Sequence, residues 1–137
     1  MQYWLLKTEP DEWSWNEQVK CGYNGAEWNG VRNFQASKNL KNMKSGDKCF
    51  FYHTGKEKSI VGIVSVRKEA FLDKTDKTKK FVSVVVRALY PLKREVSLQE
   101  IKKNKDFKDF PLVKQSRLSV MKVDLKYWKK ICKMGKV

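Results

Sequence analysis

A single histidine, three cysteines and three prolines in 137 residues narrow the chemistry before any motif is sought. Cys21, Cys49 and Cys132 are odd in number and far apart. With only His53 beside them, and no two ligands at the close C-x2-4-C spacing of a Cys/His zinc site, they suggest neither such a site nor a paired disulfide framework. No run of about 18 apolar residues occurs, and no basic leader precedes the short apolar run near the start, so neither membrane span nor signal peptide is expected. The expectation is a soluble protein of a reducing compartment, cytoplasmic, or nuclear in a eukaryote. The glycine patterns GxGxxG and GxxxxGK(S/T) are missing, which leaves nucleotide-driven catalysis without a phosphate cradle. Cys49 lies four residues before His53 on one stretch of chain, roughly 13 Å at about 3.3 Å per residue, too far for a thiolate pair. No catalytic residue, metal or cofactor is assigned.

What the chain has in excess is positive charge. Thirty Lys and Arg face fifteen Asp and Glu, a net +15. The surplus lies after residue 64, where 21 bases meet 8 acids; before it, 9 meet 7. Aromatic residues run the other way, ten of seventeen preceding residue 53. A basic half beside an aromatic half points to a polyanion, nucleic acid first, because clustered Lys and Arg displace counterions from phosphates. The rival readings are lysines that only solvate the surface, and a basic membrane-surface helix over 124–134 carrying Leu125, Trp128 and Cys132 on one side. That stripe is narrow, which favours packing on a core. With 41% apolar residues the chain can fold as one domain, residues 1–137.

Local patterns predict a strand over 3–8 and a short helix opened by the capping box of Ser14 and Glu17. Residues 21–30, rich in glycine, read as a loop that leaves Trp28 without a periodic partner. A helix over 33–43 should turn Phe34, Leu40 and Met43 inward. Strands follow over 48–53 and 60–72, with Gly62 marking a bulge. The tract at 73–80 is a turn. Residues 81–90 alternate at period two, with Val82, Val84, Val86, Ala88 and Tyr90 on one face, and Pro91 should end that strand. Ser97 and Glu100 form a second capping box, 107–112 is an irregular packed segment, 118–123 a last strand and 124–133 a last helix. The whole reads as an α+β domain built on a twisted, barrel-like antiparallel sheet.

Two residues stand out chemically. Glu9 follows a strand directly and precedes Pro10, so its carboxylate can face a cleft and accept from an amino group. Trp28, placed in a loop, can stack on a base, and its removal should then leave the fold nearly unchanged.

The strings YWLLKTEPDEWSW, WNGVRNFQASKNLKNMKSGDKCFFYHTG, IVGIVSVRKEAFLD and RLSVMKV resemble, in order and over nearly the whole chain, the EVE-domain family. The resemblance implies a PUA-like pseudobarrel of mostly antiparallel strands with inserted and flanking helices, related to the YTH readers. It also implies a non-catalytic pocket for a flipped modified base, most often a 5-modified cytosine in DNA. The chain departs from the commonest family wording at Phe34, where tyrosine is frequent, and at Thr54, where serine is frequent. On this reading Trp28 stacks, Asn33 pairs through its amide, His53 and Thr54 face the base edge, Glu9 and Lys7 lie at the rim, and Arg117 and Ser119 at the mouth. The expected partner is nucleic acid carrying a modified base, bound by a monomer with no membrane contact. The alternatives are an RNA-binding module for modified tRNA or rRNA, and an enzyme acting on a nucleobase. The zinc deaminases need His-x-Glu and Pro-Cys-x-x-Cys, which this sequence lacks.

Overall fold

The computed structural model describes residues 1–137. Six strands form one sheet: β1 (Tyr3–Thr8), β2 (Ala26–Trp28), β3 (Lys48–His53), β4 (Ser59–Leu72), β5 (Val82–Ser97) and β6 (Val120–Lys122), in the spatial order β2-β5-β4-β3-β1-β6. The neighbours are antiparallel except β1 and β3, which run parallel with Leu5 opposite Phe50. Five helices accompany them: α1 (Trp15–Lys20), α2 (Phe34–Asn42), α3 (Leu98–Lys103), α4 (Pro111–Lys114) and α5 (Leu125–Met134). Helix α2 packs on β4, β5 and β6 at once, although β5 and β6 lie far apart in the sheet order. The sheet is therefore curled into a half-barrel with α2 across its opening, as a PUA-like pseudobarrel requires. Asn39 ties the helix to β6 by donating its amide to the Val120 carbonyl at 2.8 Å.

Both capping boxes form as their sequences predict: Ser14 with Glu17, and Ser97 with Glu100, each exchange the two reciprocal bonds. The core runs through the curl from Leu5, Leu6, Phe50 and Phe51 to Ile60, Ile63 and Val84, all fully buried. Trp128 of α5 stacks on Phe50 at 3.9 Å between centroids. Helix α5 buries Tyr127, Trp128 and Ile131 and leaves Leu125 exposed, so its apolar side covers the sheet.

Four expectations need correcting. Residues 26–28 are strand, paired with Val84–Val86 of β5, and Trp28 is only 8% exposed within the main core cluster. A three-residue strand is too short to show periodicity, and the glycines around it read as a loop. Phe34 points outward, 69% exposed, and lies 4.9 Å from the Phe81 ring instead of entering the core. Strand β5 continues through Pro91 to Ser97. Beyond Val86 it has lost its β2 neighbour, and its register with β4 breaks beside Gly62, so a residue without an N–H is tolerated there. The period-two face fails by Tyr90, which is 42% exposed.

Gly62 does mark a bulge: Phe51 pairs with Gly62 but Tyr52 with Ile60, leaving Val61 unopposed. A Cβ on Gly62 would lie 2.5 Å from the Trp15 indole, so close approach, not backbone conformation, demands glycine. Gly62→Ala is expected to cost about 1–3 kcal/mol in urea denaturation. The cost should largely vanish in a Trp15→Ala background, where nothing remains to be displaced.

Candidate functional site

A cleft of about 790 Å³ opens where three segments of the curled sheet meet. The first is the end of β1 with the turn after it, contributing Lys7, Thr8, Glu9, Glu12 and Trp13. The second is β2 and its connection to α2, running from Ala26 to Asn33. The third joins α4 to β6 and supplies Ser116, Arg117 and Ser119, while Thr54 enters from the end of β3. Strand pairing fixes the first and third against each other, since the Lys7 N–H donates to the Ser119 carbonyl at 2.9 Å. Thr54 is bound to the same end, its N–H reaching the Thr8 carbonyl at 2.9 Å.

Each polar group has an identifiable support. The Glu9 carboxylate rests against Gly55, where an added Cβ would fall 2.6 Å from Oε2, and Gly55 has φ of +75°. The positive φ is what calls for glycine at 55, and the absence of a side chain there leaves room for the acid. The Thr54 hydroxyl lies 3.5 Å from the same carboxylate. Lys7 donates from Nζ to the Ser116 carbonyl at 2.9 Å, and burial moves its pKa below the ordinary lysine value. Asn33 is the N-cap of α2 and accepts the Ala36 N–H through Oδ1 at 2.9 Å. Its oxygen is committed to the helix, which leaves the amide NH₂ as the group free to donate. Trp28 closes the floor, its ring edge-to-face with Phe51 at 5.6 Å and 82°.

The structure thus brings Trp28, Asn33, Thr54, Glu9, Lys7, Arg117 and Ser119 together at one cleft, and His53 is not among its lining residues. His53 is buried, its Nε2 accepting the Trp15 N–H at 3.0 Å and its Nδ1 3.1 Å from Glu57 Oε1. Accepting at Nε2 places the ring proton on Nδ1, so the imidazole is a neutral brace between α1 and the β3–β4 turn. Both nitrogens are spent on the fold.

Several cleft residues escaped the sequence reading, Asn29, Arg32 and Glu12 among them, and Trp13, a fallback should Trp28 be core, lines the cleft as well. Arg32 belongs to a cradle centred on Asp73, just past the end of β4. The Asp73 carboxylate accepts from the Gly30 N–H at 2.8 Å and from Arg32 at 3.0 Å. It also accepts from the Thr75 N–H at 2.8 Å and hydroxyl at 2.6 Å, while Arg32 reaches the Thr75 hydroxyl at 2.8 Å. Burial alone would raise the Asp73 pKa, but the bonds from Thr75, Gly30 and Arg32 outweigh it and hold the carboxyl down to about 2. The wall of the cleft at residues 30–32 hangs from this one side chain. Partners about 40 positions apart leave no local trace that a sequence scan could follow.

The arrangement offers an apolar wall of Trp13, Ala26, Trp28 and Val31, an acceptor in Glu9, and cations in Lys7, Arg32 and Arg117. No three metal-ligating side chains converge in the fold. Residues 2–134 match the EVE domain family. The chain is similar to thymocyte nuclear protein 1 of Danio rerio, 34% identical over 149 residues that cover 85% of this chain. They cover 64% of that relative, so the chain spans less than two-thirds of its length. The NMR structure of Rpa0253 from Rhodopseudomonas palustris is 45% identical with a TM-score of 0.94, covering 99% of this chain and 94% of that one. The crystal structure of human THYN1 protein in complex with 5-methylcytosine-containing DNA is 26% identical with a TM-score of 0.88, covering 100% and 99%.

Proposed function

The chain belongs to the EVE domain family, and we propose that it is a non-catalytic reader of nucleic acid that accepts one flipped, modified base in the cleft, a 5-modified cytosine in DNA foremost. The observation that carries this reading is the supported carboxylate of Glu9 in the same cleft as Trp13, Trp28 and a cationic rim. An ionised carboxylate only accepts hydrogen bonds, so it favours a base edge bearing an amino group, as cytosine does at N4, over thymine or uracil with a carbonyl there. The apolar wall can cover a 5-methyl group, and one buried methyl is worth about 0.8 kcal/mol, about fourfold in affinity. The carboxylate therefore dominates the choice of base, and the wall refines the choice of modification. The relative solved with 5-methylcytosine-containing DNA supports the same ligand class.

Binding is tested with oligonucleotides that differ in a single cytosine modification, in both sugar series. The DNA with a 5-modified cytosine should bind best, and Glu9→Gln should weaken it roughly 10- to 150-fold, the range for a lost hydrogen bond to a charged group. The same variant should change binding to a thymine-bearing control far less. Equal affinity for modified and unmodified strands would reduce the cleft to a vestige on a general nucleic-acid module. Preference within the RNA series would move the reading to modified tRNA or rRNA.

A further inference from the structure

Away from the cleft lining, two guanidinium groups are parked on one exposed ring. Arg87 of β5 lies 4.9 Å and Arg67 of β4 5.2 Å from the centroid of Tyr23, which is 69% exposed in the 3₁₀ turn before β2. Their positions follow from strand pairing, since Arg87 is opposite Ser65 and Arg67 stands two residues further along. Arg32 and Arg94, by contrast, are each held by a carboxylate; Arg67 and Arg87 have no acidic partner among the ion pairs. The two cationic carbons lie within roughly 10 Å of each other, where like charges repel and a shared anion relieves them.

We propose that Arg67 and Arg87, held on Tyr23, form a phosphodiester clamp for the strand whose base occupies the cleft; this rests on the reader function proposed above. Guanidinium is the group suited to phosphate, because its planar N–H fork makes two parallel charge-assisted bonds. Stacking on Tyr23 restricts each side chain before the ligand arrives, so less freedom is lost on binding. The clamp is close enough to serve the cleft. Tyr23 is five residues from Trp28, at most about 18 Å of chain, the length of no more than about five stacked nucleotides at 3.4 Å each. Neither arginine lines the cleft, so the clamp adds affinity without reading the base.

The test uses the full chain and an unmodified single-stranded oligonucleotide titrated at several salt concentrations, with its 5-methylcytosine counterpart alongside. Arg67→Gln/Arg87→Gln should weaken both strands to the same degree, roughly tenfold, and flatten the salt dependence by about 0.7 for each phosphate no longer neutralised. Lys102→Gln/Lys103→Gln, which removes the same charge from the exposed last turn of α3, should shift affinity less than about twofold. Tyr23→Ala keeps both charges and should still weaken binding, which separates a held clamp from net charge. A double arginine variant that behaves like the lysine variant overturns the clamp, as does one that changes the preference between strands while leaving the salt slope intact. Inorganic phosphate titrated against the arginine Nε–H signals in NMR distinguishes the two levels. Phosphate-induced shifts at Arg67 and Arg87 in a protein that binds no oligonucleotide in the titrations would retain the anion site and sink the reader function, and no shifts in a protein that binds oligonucleotide strongly would do the reverse.

Discussion

Trp28→Ala should destabilise the protein by about 3–5 kcal/mol, the cost of truncating a large buried aromatic. For a domain of this size that is a fall of roughly 10–20 °C in thermal midpoint. The indole is 8% exposed and packs edge-on to Phe51, while the same side chain floors the cleft. One substitution therefore attacks fold and binding together and cannot apportion them. Trp28→Phe separates the two: it keeps an aromatic ring against Phe51 and should lose only about 1–2 kcal/mol of stability. If its preference for a modified base falls well below wild type at a temperature where both are folded, the indole takes part in recognition. An unchanged preference would confine Trp28 to the core and leave Trp13 as the stacking surface.

The second large effect is expected at Asp73. Removing its carboxylate in Asp73→Ala strands the Gly30 and Thr75 N–H groups and the Arg32 guanidinium together. Stability should fall by about 2–4 kcal/mol, and the wall of the cleft at residues 30–32 should loosen. Amide exchange at Gly30 would report that loosening directly. Asp73→Asn retains one acceptor oxygen and should lose about half as much. Because the folded carboxyl sits at about 2, below its ordinary 3.8, its contribution is complete above about pH 4 and is lost as pH falls towards 2. The stability gap between wild type and Asp73→Asn should accordingly narrow over that interval. A gap independent of pH would show that the carboxylate's ionisation contributes nothing to the fold.

The parts of this fold that a sequence reader recovers are those written in short-range chemistry. Ser14 with Glu17 and Ser97 with Glu100 announce their helices because the reciprocal bonds span only three residues. Strands β1, β3 and β4 declare themselves by apolar runs between turns, and Gly62 by sitting inside one. What stays hidden depends on residues distant in the chain. Trp28 enters the core because β5, more than fifty residues later, offers Val84 as a partner. The sheet is mostly antiparallel as expected, but which pair runs parallel was not legible: β1 and β3 do so because α1, β2 and α2 are interposed between them. His53, the one histidine, reads as a polar edge group when only its neighbours in sequence are considered. The Trp15 N–H, 38 positions away, makes it a brace instead. The cleft itself was legible through family wording at Lys7, Glu9, Trp28, Asn33, Thr54, Arg117 and Ser119, but its Asp73 support was not, since that cradle joins segments with no shared pattern.

The sheet order places β1, the first strand made, between β3 and β6, and this governs how the chain is completed during synthesis. Once residue 53 has emerged, β1 can pair on one side with β3. Its other edge waits for Val120–Lys122, and at about 5–20 residues per second that interval lasts roughly 3–14 s. Through it the growing chain carries an unsatisfied strand edge ending in Lys7 and Thr8, open to pairing with a neighbouring nascent chain. The cleft cannot exist before the wait ends, because its Lys7 and Ser119 sides are joined by the last strand pairing. A nascent chain exposed only as far as α3 or α4 therefore has an adhesive edge and no binding site, the state in which a chaperone would be needed.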